Sequence, residues 1–292
     1  MRLFHISDLH FQADIPLSRF PMLGWRRLVA QTEYRLLGRR KRFADVPGAV
    51  RGLLAEATAW GADHLLVSGD LTAIALPEEF EEARAALAGW SGRMTIIPGN
   101  HDRYTPAAAR QQLFERAFEK ELVSDLKGSG LDGPYPIVKL VARDVALIGL
   151  TSARVPISPG FAAGWIGKAQ RQRLAELLKA PELRDRMIFV ACHHAPYKAS
   201  GASDRKSHGL LDASQLLAVL KEGKVAGLGH GHIHKRYRVD KPGQPPVFCA
   251  GSSTERGHRG FFRYELGEGS LTAEAVHVED GPSARSGEVA DR

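Results

Sequence analysis

The residues best suited to chemistry in this chain stand at the ends of apolar runs. Leu3–Ile6 ends in Ser7-Asp8-Leu9-His10, and Leu65–Val67 ends in Ser68-Gly69-Asp70. Met94–Ile97 ends in Pro98-Gly99-Asn100-His101-Asp102, and Met187–Ala191 in Cys192-His193-His194. Val225–Leu228 ends in Gly229-His230-Gly231-His232-Ile233-His234. One such block, taken alone, is an ordinary β-to-α turn in which Asn and Asp cap the next helix. Five of them are different, because side chains leaving the carboxyl ends of parallel strands converge on one edge of a sheet. Carboxylate, amide and imidazole donors together suit Mn, Fe, Zn or Ni better than Mg, and the lack of thiolate donors argues against a structural zinc site.

The order Asp-x-His, Gly-Asp, Gly-Asn-His-Asp, His, Gly-His-x-His resembles the calcineurin-like metallophosphoesterases, and the blocks span residues 8 to 234, about four fifths of the chain. The resemblance implies a dinuclear metal-dependent phosphohydrolase. Asp8, His10, Asp70 and His234 would hold one ion, and Asp70, Asn100, His193 and His232 the other, with Asp70 bridging. His101 would stabilise developing charge or protonate the leaving oxygen, oriented by Asp102. Such chemistry wants two divalent cations because the substrate is an anion that repels hydroxide, and the ions offset its charge and generate a nucleophile near neutral pH.

Two positions stay open at this level. Either His193 or His194 could be the ligand after the fourth run, with His193 preferred as the first residue beyond it. Gly229-His230-Gly231-His232 and Gly231-His232-Ile233-His234 both fit the last block. The resemblance favours the second, because the family often places another histidine before this block and a basic residue, here Lys235, after it. His5, His64, His208, His258 and His277 are read as ordinary histidines, and Arg103 and Tyr104 as either phosphate contacts or helix-cap residues.

The 292 residues, 43% of them hydrophobic, suffice for one large domain or two small ones, with a sizeable core. Cys192 and Cys249 suggest no disulfide framework, which fits a reducing cytosol. The chain opens directly on strand residues rather than on a signal peptide, and no stretch approaches the roughly 18 apolar residues of a membrane span. A cytoplasmic protein is expected, or one peripheral at the inner face of the membrane.

The net charge of +7 is uneven. Between Ile15 and Ala44, Arg19, Arg26, Arg27, Arg35, Arg39, Arg40, Lys41 and Arg42 are opposed only by Glu33. Trp25, Leu28, Val29, Thr32 and Leu36 recur at helical spacing, so residues 24–38 read as a basic amphipathic helix inserted at about 15–44. It is either a surface helix with solvated arginines, a contact for a phosphate-rich substrate, or an interfacial helix drawn to anionic lipid through residues 24–42.

Elsewhere strands and helices alternate. Helices are expected at 45–60, 77–88, 106–124, 168–179 and 212–222, the last with Asp212 as N-cap, and 137–141 and 145–150 form a hairpin. Residues 127–136 should be a loop, the region after His234 should be all β, and 280–292 a disordered tail. The resemblance supplies the architecture: an α/β fold, a four-layer α/β/β/α sandwich of two mixed sheets flanked by helices, over residues 1–279. The function expected is a phosphodiesterase acting on a nucleotide or nucleotide-like diester. The alternatives are a pyrophosphatase on a lipid-linked nucleotide of the UDP-diacylglucosamine type, a nuclease acting on nucleic acid, or an inactive scaffold.

Overall fold

The computed structural model of the protein describes residues 1–36, 39–126, 133–158 and 160–279, and within these not the side chains of residues 17, 31, 33–36, 39 and 40. The amino-terminal strand β1 (Arg2–Ile6) is flanked by β2 (His64–Val67) and β10 (Gly260–Gly267). With β3 (Met94–Ile96) and β11 (Ser270–His277) these make a five-stranded sheet in the order β11-β10-β1-β2-β3. The second sheet has six strands, β4 (Ile137–Ala142), β5 (Val145–Gly149), β6 (Met187–Ala191), β7 (Gly227–His230), β9 (Val247–Cys249) and β8 (Tyr237–Val239), in that order. Strands β1, β2 and β3 run parallel, as do β5, β6, β7 and β9, while β10, β4 and β8 pair antiparallel. Both sheets are therefore mixed.

The central strands read as unbroken apolar runs because both of their faces are covered. Between the sheets, Phe189, Phe248, Phe262 and Tyr264 pack as one aromatic cluster, while Phe4 stacks on Phe261 at 4.2 Å. On the outer face of the second sheet, Leu174 and Leu177 of α7 (Lys168–Leu177) and Leu216 and Leu220 of α8 (Ala213–Glu222) cover Ile148, Val190 and Leu228. On the first sheet's side, α3 (Val46–Ala59) buries Val46, Val50, Leu53 and Ala57, and α4 (Pro77–Leu87) buries Phe80, Ala83 and Leu87. Helix α3 begins where Asp45 accepts from the Gly48 main-chain NH at 2.9 Å, and the chain leaves it at Gly61, whose φ of +72° suits a residue without Cβ.

Several boundaries depart from expectation. Residues 106–124 form two short helices, α5 (Pro106–Arg110) and α6 (Leu113–Ala117), because Gln112 takes a left-handed φ of 51° between them. Asp212 makes no side-chain cap at the start of α8; its carboxylate instead accepts from the main-chain NH groups of Ile166 (3.0 Å) and Gly167 (2.9 Å) and pairs with Arg171. The insertion forms a 3-10 turn at Leu17–Met22, then α1 (Trp25–Leu36) and α2 (Arg39–Arg42). Its Ile15, Leu23 and Ala30 make a small core with Ala73, Ile74 and Leu76, against which Leu28 packs. The single apolar face expected of this helix is thus divided: Leu28 turns inward, while Trp25 and Val29, one turn apart, stay 59% and 38% exposed. The arginines are not simply solvated either, since Arg27 donates from Nε to the Ile74 carbonyl and from Nη2 to that of Ala75. Residues 37–38, the side chains of Arg35, Leu36, Arg39 and Arg40, residues 127–132 of the expected loop and the tail 280–292 lie outside the described residues.

Candidate metal centre

The five blocks do meet, but at the carboxyl ends of two sheets rather than one. Asp8 and His10 follow β1, Asp70 follows β2, and Asn100 and His101 follow β3 in the first sheet; His193 follows β6, and His232 and His234 follow β7 in the second. The turns that carry them are tight. Asp8, His10, Asp70, His232 and His234 all have φ between 52° and 73°, a conformation that costs a side-chain-bearing residue energy and persists only where its surroundings impose it. The motif glycines have a steric reason. A Cβ at Gly99 would lie 2.1 Å from Asp70 Oδ1, and one at Gly231 would lie 2.0 Å from Ser7 Oγ and 2.3 Å from Asp8 Oδ2.

Asp8, His10 and His234 bring one donor atom each within 4.8 Å of one another, as do Asp8, Asp70 and His193. His10 Nε2 and His234 Nε2 are 3.2 Å apart, and His234 Nε2 is 3.4 Å from Asp8 Oδ1. Asp70 Oδ2 stands between the two sets, 3.9 Å from His10 Nε2 and 3.3 Å from His193 Nε2, the place of a bridging carboxylate. Its other oxygen accepts from the His101 main-chain NH at 2.8 Å. Burial pushes the Asp70 carboxyl up, but His193, His101 and His10 outweigh that and hold it well below the usual carboxylate range. His193 joins these acids, whereas the His194 ring bonds Ser152 Oγ at 2.8 Å. In the last block the two histidine pairs are placed differently. His232 Nδ1 faces Asn100 Oδ1 at 3.1 Å, whereas His230 Nδ1 donates to the neighbouring Gly231 carbonyl.

Do these residues fit cations? His232 donates from Nε2 to the His208 carbonyl at 2.8 Å, and burial, with His194 and His193 nearby, holds its pKa well below normal. Its Nδ1 is therefore a bare acceptor facing another acceptor, Asn100 Oδ1, an arrangement that a cation between them resolves. His193 donates from Nδ1 to the Ser68 carbonyl, which leaves a buried Nε2 with no hydrogen bond among the described residues. Burial disfavours charge on His193 and His234, yet Asp70 beside the first, and Asp8 and Glu255 beside the second, push each up to about 9. The site demands positive charge, and its oxygen and imidazole donors fit two divalent ions. Both thiols stand apart: Cys192 Sγ donates to the His194 carbonyl and Cys249 Sγ to that of Gly231, and burial pushes Cys249 up to about 12.

His101 lines the cavity above this cluster, with its Nδ1 donating to the Ala73 carbonyl at 2.6 Å and its ring stacked on Tyr104 at 5.6 Å. Nε2 is then the atom that can hold or release a proton. It is Ala73, not Asp102 as expected, whose acceptor fixes this ring. The Asp102 carboxylate, 1% exposed, accepts from the main-chain NH groups of Gly99 (2.9 Å) and Thr72 (3.0 Å) and from Thr72 Oγ1 (3.0 Å). Burial, with the charge of Asp70 nearby, pushes it up to about 7. Asp102 ties the β3 turn to the β2 turn and so sets the spacing of Asn100 and Asp70. Arg103 pairs with Glu115, and Tyr104 lines the cavity.

Sequence reading missed several participants. Glu255, 3% exposed, accepts from His234 Nδ1 at 2.7 Å and pairs through its other oxygen with Arg42 at 3.0 Å. Phe43 packs edge-on to His10 at 4.9 Å. His208, taken as ordinary, lines the cavity beside His232 with its Nδ1 held by Asp204 at 2.6 Å. Arg26 reaches from the insertion to the cavity wall, where Nη1 donates to the Pro156 carbonyl at 2.6 Å and Nη2 to that of Ile157 at 2.9 Å. A polar residue just after an apolar run was the signal that marked the site blocks; Glu255, Phe43 and His208 lack it, and Arg26 was marked only as part of the basic insertion. Arg26 and His208 line this cavity with Asp70, Asn100, His101, His232 and His234, and it measures about 360 Å³.

The family described as calcineurin-like phosphoesterase matches residues 1–236. Among solved structures, a dimetal phosphatase from Danio rerio is similar with a TM-score of 0.65 at 14% identity, over 94% of this chain and 95% of that one. A 5'-nucleotidase from Candida albicans SC5314 is similar with a TM-score of 0.45 at 14% identity, over 91% of this chain and 47% of that one. A search of curated proteins finds no match. At 14% identity the Danio rerio structure speaks to the fold alone, and the family match carries the assignment: the chain belongs to the calcineurin-like phosphoesterase family.

Proposed function

We propose that the protein is a dinuclear metal-dependent phosphodiesterase acting on a nucleotide or nucleotide-like diester, with Mn, Fe, Zn or Ni as the ions. The observation that carries this reading is the convergence of seven donor residues from five strand ends, Asp70 at their centre, with His101 beside them. When bound, the two ions offset the charge of the phosphoryl group and lower the pKa of water. Asp8, His10 and His234 would hold one ion, Asn100, His193 and His232 the other, and Asp70 both. His101 holds a proton at Nε2 and delivers it to the leaving oxygen, its ring kept in place by the Ala73 carbonyl. Arg26 keeps cationic charge at the cavity wall, where an anionic substrate enters.

The cavity of about 360 Å³ extends past the donor cluster to Tyr104, Phe161 and His208. It leaves room for a substituent beyond the phosphorus, which favours a diester over a bare phosphate. A second reading, pyrophosphatase action on a lipid-linked nucleotide of the UDP-diacylglucosamine type, is favoured by the exposed Met22, Trp25 and Ile157 near the cavity mouth. The test is turnover by metal-reconstituted protein of bis-p-nitrophenyl phosphate, cyclic nucleotides, single-stranded DNA, a lipid-nucleotide diphosphate and, as the monoester, p-nitrophenyl phosphate. Diester hydrolysis is expected. Turnover of the monoester alone would contradict the diesterase reading, and a metal-filled protein inert to all five would mark a scaffold.

A further inference from the structure

The mouth of the metal-centre cavity has an apolar side. Met22, at the end of the 3-10 turn, and Trp25, at the start of α1, are 83% and 59% exposed, and Ile157, across from them, is 76% exposed. Arg26 joins the two segments: its guanidinium lies 5.1 Å from the Trp25 ring and donates to the Pro156 and Ile157 carbonyls. Arg26, Pro156 and Ser158 also line the cavity, so this ledge continues into the site. Whatever covers the ledge is next to what enters the cavity.

The surroundings are basic. Eight Lys and Arg residues against one Glu fall between Ile15 and Ala44. Carbonyl oxygens hold the Arg26 head in place but leave its charge in force. Among the described residues no helix is long and apolar enough to cross a membrane. Arg19 and Arg42 are paired with Glu78 and Glu255, whereas Arg26, beside Trp25, is held by carbonyls and keeps its charge. Exposed Trp and aliphatic side chains beside such a cation have the composition of a surface that lies on a bilayer, with the apolar tips at the acyl boundary and the cation at anionic headgroups. A nucleobase platform is less well served. One side of the Trp25 ring has Arg26 near it, and Met22, Val29 and Ile157 offer no hydrogen bonds to base edges.

We propose that Met22, Trp25, Val29 and Ile157 form a membrane-contact ledge that seats the protein on an anionic bilayer, so that an amphiphilic phosphoester reaches the metal centre with its apolar chain on the ledge. The substrate part of this rests on the phosphoesterase reading above, whereas the bilayer contact does not. Leu28 is excluded from the ledge because it packs on the inner face of the insertion.

The test compares the wild type with the triple variant Met22→Ser/Trp25→Ser/Ile157→Ser, and with Ile157→Ser alone as a milder change that spares α1. Co-sedimentation uses phosphatidylglycerol–phosphatidylcholine vesicles. Kinetics use p-nitrophenyl hexadecyl phosphate, p-nitrophenyl methyl phosphate, the p-nitrophenyl ester of thymidine phosphate and bis-p-nitrophenyl phosphate. Wild type should bind the vesicles at low salt and release as salt rises. The triple variant should lose about ten-fold or more in partitioning, and Ile157→Ser a smaller part of it. Turnover of bis-p-nitrophenyl phosphate should be the same in all three proteins, while the wild type's lower KM for the hexadecyl than the methyl ester disappears in the triple variant. Equal vesicle binding by all three proteins, or none by the wild type, overturns the proposal. So does an effect of the triple variant confined to the thymidine ester, which would make Trp25 a base platform. Lost vesicle binding in a variant set that hydrolyses no diester would sink the diesterase reading and leave the bilayer contact supported.

Discussion

Replacing Glu255 by Gln removes one negative charge from behind His234 and little else. The side chain keeps its length, its amide oxygen can still accept from His234 Nδ1, and the Arg42 pair it gives up is mostly exposed on the arginine side, so little stability goes with it. What changes is the basicity of the imidazole. The Glu255 carboxylate, 2.7 Å from Nδ1 and 3% exposed, is one of the groups that hold His234 at about 9, and it fixes the tautomer that turns Nε2 toward Asp8 and His10. Carboxylates standing behind a metal-bound histidine in this way are worth about 10- to 100-fold in metal affinity, on the order of 1.4–2.8 kcal/mol. The loss should fall on one ion only. His193 is backed by the Ser68 carbonyl and His232 by that of His208, and neither contact involves Glu255. Competition against a chelator should therefore show one of two Mn or Zn dissociation constants weakened about ten-fold or more in Glu255→Gln, the other unchanged, and a melting temperature of the metal-free protein close to wild type. Two unchanged constants would refute the reasoning, as would equal weakening of both.

His101→Ala should keep both ions and lower turnover of a diester by about 10²-fold or more, the usual scale for a proton-transfer residue; a metal content that falls with the mutation would make His101 a ligand, which its grouping with His10 and Asp70 within 4.8 Å would permit. Metal binding should release protons. In the metal-free protein His193 and His234 are pushed up to about 9, so below that pH both rings are protonated and each ion must displace a proton before ligation. Affinity should therefore rise with pH between about 6 and 9 and level off above it, by roughly ten-fold per pH unit for each proton displaced. Titration calorimetry in buffers of different ionisation heat reads the protons directly, and an affinity flat across that range would contradict the assignment.

The residues that the fold brings together around Asp70 stood out in the sequence because each follows an apolar run, and a strand end is a place where adjacent residues in sequence become neighbours of distant ones in space. The mixed character of the sheets was carried by the family pattern, since nothing in the runs themselves assigns β7 and β9 to one sheet with β8 antiparallel at its edge. What the sequence hid falls into two kinds. The backbone of Gln112 takes a left-handed turn that no glycine or proline announces, so a continuous helical pattern splits into α5 and α6. Asp102 and Glu255 are carboxylates whose partners are fixed by the tertiary fold. Asp102 was credited to the histidine beside it, but it satisfies main-chain donors 30 residues away in the chain. Glu255 lies 21 residues beyond His234 and becomes its neighbour only because the chain returns past β9. The insertion shows the same limit. Its helical period was readable, but which of Trp25 and Leu28 faces the domain depends on the small core supplied by Ala73, Ile74 and Leu76.

The count of bound ions tests the central claim most directly, by elemental analysis of protein reconstituted with Mn or Zn and freed of excess, for wild type and Asp70→Asn. A dinuclear centre bridged by Asp70 predicts two ions per chain in the wild type and fewer in the variant, because the carboxylate oxygen lost serves both sites. One ion per chain in the wild type, or two retained by Asp70→Asn with unchanged affinity, would contradict it.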